Sequence, residues 1–419
     1  MIKRYFLQLV SLLWGIEILA TPLFGQVAYI SSLDTPGEPF DVLISDNHVY
    51  VADYSRGLQI VDVSVPASPV LVGGCDTPGD AVGVCVRGSY AYVADWDYGL
   101  QIIDVSNPVS PTLVGSYDTP GTAEAVFVVD NYAYVADGLF GLVILDVSTP
   151  SSPFWVGTWD TFGYATGVVV SGEYAYVADF ERGLVVINIS DRANPVFVGA
   201  YNTAGYSDEV FLAGNNAFMA DRDQGLQIIN IADPSSPVLV GNYMTPGVAY
   251  DVVVQQDHAY IADYFSIQIL DISNPANPTS AGNFNTPLPA RGVSVSGDYI
   301  YVADQDSLVV LQYVATDVED NVPLLLPKNF SVSQNYPNPF NPTTTVGYSL
   351  PTRSHVVVEV FDITGRRIRE LVNKTEAAGS YKVIWDGTDQ SGNPVSTGVY
   401  LYRFQAGEVV QTKKMLLIK

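Results

Sequence analysis

The phrase Tyr-Val-Ala-Asp, or a close variant, occurs seven times in this chain, closing at Asp53, Asp95, Asp137, Asp179, Asp221, Asp263 and Asp304. The intervals are 42 residues five times and then 41. A fixed period of about 40 residues dictates stacked supersecondary units, none of which buries its apolar surface alone. Each period holds four short apolar runs separated by Gly and Pro punctuation, the content of one propeller blade. Between Gly79 and Gly121 the runs are Ala81–Val86, Tyr90–Ala94, Leu100–Val105 and Thr112–Tyr117. They are more continuously apolar than alternating, as sheets covered on both faces require.

The last period stops at Leu308–Val314 without a fourth run, and an orphan run, Val27–Leu33, precedes the first period. Pairing the two would close a ring and remove an exposed sheet edge. The expectation is therefore all-β: a seven-bladed β-propeller over residues 26–314, closed by an N-terminal strand. Residues 315–329 read as a linker. Residues 330–419 read as a small β-sandwich, from short runs such as Val356–Phe361 and Tyr381–Trp385 with turn signals at Asp362-Ile363-Thr364-Gly365 and Asp386-Gly387. Residues 1–25 read as a secretory signal, with Lys3 and Arg4 ahead of an apolar run from Tyr5 to Ala20. No later stretch reaches the roughly 18 apolar residues of a transmembrane segment.

The phrases Tyr-Val-Ala-Asp, Gly-Leu-Gln-Ile-Ile-Asp-Val-Ser-Asn-Pro and Val-Gly-x-Tyr-Asp-Thr-Pro-Gly resemble the LVIVP-repeat family of exported bacterial proteins. That resemblance implies a propeller and no fixed substrate or catalytic residue. The Gly-His and Trp-Asp marks of WD40 propellers do not recur. Farther on, Asn335–Pro342, Phe361–Arg366, Gly379–Gly387, Gly398–Tyr402 and the terminal Lys-Met-Leu-Leu-Ile-Lys resemble the type IX secretion sorting domain (type A), whose fold is immunoglobulin-like and similar to FlgD. This second resemblance implies the type IX secretion machinery as partner. It also implies a route through the Sec system and then across the outer membrane, to a secreted or cell-surface location.

Charge narrows the remaining partners. Residues 26–314 carry 33 acidic and 6 basic side chains, a net of −27, while residues 328–419 carry 7 acidic and 11 basic, a net of +4. Such an acidic surface repels phosphate backbones and anionic lipid, which argues against nucleic acid and direct membrane adhesion. The two cysteines, Cys75 and Cys85, occupy apolar repeat positions and read as small buried hydrophobes.

The recurring aspartates meet a need shared by every repeat, and turn anchoring is the expected one. The glycine four residues on (Gly57, Gly99, Gly141, Gly183, Gly225) is expected to supply a positive φ. Binding is expected where the repeat varies: in the loops after the second and fourth runs, which open on one rim. There stand the aromatics Tyr54, Trp96, Tyr98, Phe140, Phe180, Tyr264, Phe265, Tyr164, Tyr206 and Tyr250. With them stand Asp41, Glu124, Asp208, Glu209, Asp251 and Arg291. Aromatic platforms beside carboxylates suit sugar rings or cationic peptide groups; the alternative is that they plug and cover the rim.

An extracellular glycan or protein ligand, bound for adhesion or scaffolding, is thus the expected function. Its alternatives are a polysaccharide hydrolase or lyase using mouth carboxylates, and a purely structural surface component. Histidines are scattered at His48, His258 and His355, and no nucleophile–base grouping, metal spacing or nucleotide motif is present. No catalytic residue, metal site or cofactor is expected; calcium is left open.

Overall fold

The protein, seen in a computed structural model, is described over residues 25–314, 330–335, 337–351, 353–376, 379–407 and 409–418. The expected secretory signal, Gly25 apart, and the expected linker lie outside the described residues. The chain divides into two compact units, Met1–Thr316 and Asp317–Lys419.

Among the described residues the first unit is built from antiparallel strands alone. Its second repeat is the pattern for the others: Gly83–Arg87, Tyr90–Ala94, Leu100–Asp104 and Thr112–Tyr117 follow one another across a four-stranded sheet. The middle two strands are almost wholly buried, whereas the first and fourth are half-exposed. Their apolar side chains serve two sheets at once. Tyr92, Leu100 and Ile102 of one sheet pack with Val126, Val135 and Val143 of the next. Each fully buried Leu or Ile contributes about 1.5–3 kcal/mol, so the continuous apolar runs are explained by burial on both faces.

The fourth strand is bulged at the same place in six repeats, between Ile60/Val61, Ile102/Ile103, Ile144/Leu145, Val186/Ile187, Ile228/Ile229 and Ile269/Leu270 on the partner strand, and the N-terminal strand is bulged likewise opposite Val310/Leu311. In the first five a glycine accompanies the bulge because the proline connector of the next sheet presses on it. A Cβ at Gly115 would lie 2.0 Å from the Pro150 carbonyl oxygen.

Five repeats form separate four-stranded sheets, and the last two share one seven-stranded sheet. The count of separate sheets thus falls short of seven, and the sequence gives a local reason. The repeats carry Gly in the crossing loop, at Gly37, Gly79 and Gly121 for example, but the last crossing reads Thr286-Pro287-Leu288-Pro289. Proline holds itself and its predecessor extended. Thr279–Ser296 therefore runs as one 18-residue strand, pairing first with Tyr264–Asp271 and then with Tyr299–Asp304.

The orphan run behaves as expected. Gln26–Asp34 pairs antiparallel with Ser307–Val314, from Gln26 opposite Val314 to Asp34 opposite Ser307. The first strands of the sheets also touch in a cycle. Asp41–Ser45 meets Gly83–Arg87, contact passes repeat by repeat to Asp251–Gln255, and Thr279–Ser296 touches both that strand and Asp41–Ser45.

The second unit is a two-sheet sandwich. One sheet holds Ser331–Val332, Thr344–Leu350 and Gly379–Trp385; the other holds Arg367–Glu376, Ser354–Asp362, Gly398–Ala406 and Val409–Leu417. Trp385, Tyr402, Phe404 and Phe340 fill its core. The Asn-Pro-rich phrase ties down the last strand. Phe340 N donates to Leu416 O at 3.0 Å, Ile418 N donates to Phe340 O at 2.9 Å, and Leu416 N donates to Asn338 Oδ1 at 2.8 Å. Asp386 and Asp389 accept from the amides of Thr388, Ser391 and Asn393, as turn residues do.

Candidate ligand-binding rim

Most of the repeated aspartates use their side chains to hold the loop arriving before their own sheet; Asp263 does so through Gly247 N and also accepts from Ser266 Oγ in its own turn. Asp53 accepts from Thr35 Oγ1 and Gly37 N, both at 2.8 Å. Asp95 does so from Thr77 at 2.5 Å and Gly79 at 2.9 Å, and Asp137 from Thr119 and Gly121 at the same distances. Asp221 takes Thr203, Ser207 and Gly205. Burial raises the carboxyl of Asp53 and Asp137, that of Asp95 to about 6 and that of Asp304 to about 7. The neighbouring glycine supplies the expected left-handed turn: Gly99 has φ +66°, and a Cβ there would lie 2.3 Å from Tyr117 O.

This latch sets the loops after the second and fourth strands side by side. A backbone bridge joins them further, pairing Tyr54 with Ala81, Trp96 with Ala123, Gly138 with Ala165 and Arg222 with Ala249. Tyr54, Trp96, Arg222 and Tyr264 adopt positive φ to do so, which turns their side chains over the neighbouring sheet.

The rim residues form runs of packed rings and ions. Phe40 stacks on Tyr54 at 4.9 Å between centroids, with the Arg291 guanidinium 4.0 Å from the Phe40 ring, and Tyr54 lies 6.3 Å from Trp96. Tyr164 donates its hydroxyl to Glu124 and shares a hydrogen bond of 2.7 Å with the Thr122 hydroxyl. Phe180 stacks on Tyr206 at 4.6 Å. Arg222 lies 4.4 Å from the Phe180 ring and 5.2 Å from Tyr250, and its Nε donates to Asp208 Oδ2 at 2.5 Å. Tyr250, Tyr264 and Phe265 continue the run. Tyr98 and Phe140 stand apart from these stacks, 51% and 49% exposed, each lying over a loop glycine, Gly79 or Gly121.

Three carboxylates belong to the first strands instead. Asp41 spans two sheets, accepting from Val42 N at 2.7 Å and Val84 N at 2.9 Å. Asp251 accepts likewise from Val252 N and Val293 N, joining two repeats within the seven-stranded sheet. Glu209 accepts from Val210 N at 2.9 Å. Burial lifts Asp41 and Asp208 to about 6 and Asp251 to about 7; it lifts Glu209 well above its usual range, with the Asp251 charge adding to it. Among the described residues no group of three or more His, Cys, Asp or Glu side chains is placed to hold a metal ion.

Arg222, the cation that joins two ring pairs and a carboxylate, was missing from the expected site. Its loop position beside Asp221 was the only sequence signal. Cys75 and Cys85 are free thiols, both half-buried rather than fully buried, with burial pushing Cys85 up to about 11.

Repeated antiparallel sheets in a cycle, with variable loops gathered on one rim, define a β-propeller repeat protein. The LVIVD repeat model matches residues 36–77, 78–119, 120–161, 162–203, 204–245, 246–286 and 289–311, and the chain belongs to that family. The FlgD Ig-like domain model matches residues 339–412. Curated proteins contain no match to this chain. Among solved structures, the β-propeller domain of Cps50 from Myceliophteria thermophila is 10% identical, with a TM-score of 0.56, over 68% of this chain and 99% of that one. BamB from Moraxella catarrhalis is 12% identical, with a TM-score of 0.50, over 70% and 100%. PorZ of Porphyromonas gingivalis, a surface component of the type IX secretion system, overlaps 92% of this chain and 60% of its own at 16% identity. Its TM-score of 0.48 is too low to carry more. These likenesses concern the fold. Among the described residues no helix is long and apolar enough to cross a membrane.

Proposed function

We propose that this chain is an exported binding module: a seven-bladed propeller, closed by Gln26–Asp34, that captures a glycan or protein ligand on its aromatic rim. The observation that carries this reading is the rim itself. The latch and the buried strands repeat almost unchanged, while the loops they hold differ in every repeat and concentrate rings, carboxylates and Arg222. The cycle of first-strand contacts supports seven blades, two of them fused through Thr279–Ser296. The C-terminal sandwich serves as the type IX sorting address in this reading, and its clamped last strand is the feature offered to the machinery.

A non-enzymatic role fits the carboxylates, which are engaged by Arg222, Tyr164 or strand amides. The test is binding of the full chain to glycan and peptide arrays, with and without calcium, beside the Trp96→Ala, Tyr98→Ala double variant. Binding lost in the folded variant supports the rim; binding unchanged in it sinks the rim reading. The sorting role is tested by deleting residues 330–419 in a host with type IX secretion, where the truncated chain should stop in the periplasm.

One observation favours a structural surface component as the second reading. Apolar pairs on the fourth strands (Val70/Leu71, Phe154/Trp155, Val196/Phe197 and Val238/Leu239) are exposed. Self-association of the purified chain, abolished by Trp155→Lys and Phe197→Lys, would favour it.

A further inference from the structure

Three repeats lack the threonine–aspartate bond of the latch, and one of them, the fourth, lacks it beside a groove. In four other repeats the loop threonine donates to the aspartate, at 2.5–2.8 Å. In the fourth repeat Thr161 is only 2% exposed, yet its Oγ1 has no partner, and neither does Asp179 Oδ2. The other oxygen of Asp179 accepts only from Tyr164 N, at 3.3 Å. Thr245 and Asp263 Oδ1 are unpartnered too in the sixth repeat. In the fourth repeat Phe162 stands where Pro36, Pro78 and Pro120 stand in others. It adopts φ +60°, which proline cannot reach, and its ring is 68% exposed.

Thr161 and Phe162 line a groove of about 840 Å³ between the third and fourth repeat sheets. Trp159 and Phe197 add two more rings, and Glu181, Arg182 and Asn202 supply polar groups. Arg182 lies 5.7 Å from the Phe162 centroid.

We propose that this groove binds a neutral, hydroxyl-rich ring ligand, a carbohydrate unit. The proposal rests on the binding reading above but uses different residues. Rings offer flat apolar faces to the C–H face of a sugar. Around them stand donors (Arg182), acceptors (Glu181) and a group that is both (Asn202), as a ligand of many hydroxyls demands. The unpartnered Thr161 hydroxyl is a buried group whose cost a ligand hydroxyl removes. Glu181 and Arg182 cancel in charge, and the propeller region carries a net of −27, so an anionic polymer is a poor occupant. A volume of this size matches ordinary ligand clefts of about 300–1,000 Å³.

The test screens the full chain against a printed panel of neutral oligosaccharides, then measures the best binder by calorimetry. Trp159→Ala and Phe162→Gly should each weaken it by about tenfold or more, as loss of an aromatic anchor does. Glycine suits the φ of +60° and keeps the amide that donates to Asp160 Oδ1, so Phe162→Gly should keep the melting temperature, which separates lost binding from lost fold. The Trp96→Ala, Tyr98→Ala variant is measured beside them, and Val65→Ser, at an exposed position outside both groove and rim, should leave this affinity unchanged. Three results overturn the proposal: no neutral sugar binds; binding survives both groove variants; or binding is lost only in the Trp96, Tyr98 variant. The last would leave the rim reading standing.

Discussion

The Thr119 hydroxyl donates to Asp137 Oδ1 at 2.5 Å across eighteen residues, joining the loop that leaves one sheet to the strand end of the next. The bond is buried, and Gly121 N donates to the other oxygen. Asp137→Ala would leave two buried donors unmet and should cost about 2–4 kcal/mol in urea unfolding. Thr119→Val should cost about 1–2 kcal/mol, whereas Thr161→Val, which removes a hydroxyl with no partner, should cost close to nothing.

Acidity should strengthen the propeller before it harms it. Burial holds Asp41, Asp95 and Asp208 at about 6 and Asp251 and Asp304 at about 7, all above the 3.8 of a free aspartate. The folded state therefore binds more protons than the unfolded one. The resulting stability is complete below about pH 4 and lost as pH rises through 6 to 7. Melting of this unit should rise from pH 8 to pH 5 at constant ionic strength. In the sandwich, the Thr364 hydroxyl foremost holds Asp362 down at about 2. Its contribution is present above about pH 4 and fades as pH falls toward 2. Differential scanning calorimetry should show the two units moving in opposite directions.

Arg222→Ala would strip Asp208 of its counter-ion and two rings of their cation. With Arg222 about a third exposed, a cost of about 1–2 kcal/mol is expected in chemical unfolding. Arg222→Lys should recover only part of it, because an ammonium cannot lie flat between Phe180 and Tyr250.

Phe340→Ala should cost about 3–5 kcal/mol in the sandwich, since its ring is 1% exposed and packs 5.5 Å from Trp385. Hydrogen exchange at the amides of residue 340 and Ile418 should accelerate in this variant, because the first donates to Leu416 O and the second to the residue 340 carbonyl.

The strands were legible because burial on both faces writes itself as unbroken apolar runs such as Leu100–Val105. Gly99 was legible for the same kind of reason: its turn needs a left-handed residue in repeat after repeat. The partner of Asp137 was not, although a threonine stands at a constant offset before each aspartate, because periodicity records recurrence and not direction. The fusion of the last two sheets hung on Leu288 and Pro289, a local change that leaves the period almost intact. At the rim, residue type was visible, but the pairing of Arg222 with Asp208 depends on a backbone turn in which Arg222 takes positive φ. A string of letters shows aromatics in loops and cannot show which way they turn.

The pairing of Gln26–Asp34 with Ser307–Val314 also has a kinetic consequence. Its two halves stand at opposite ends of the repeat array, so within the first unit this pairing is the last that a growing chain can make. Closing so long a loop is slow and contributes no stability until it is done. An incomplete chain would keep an open, adhesive edge for as long as Ser307–Val314 is missing. Slow final closure leaves the repeat array open until residue 314 has arrived, and then locks it.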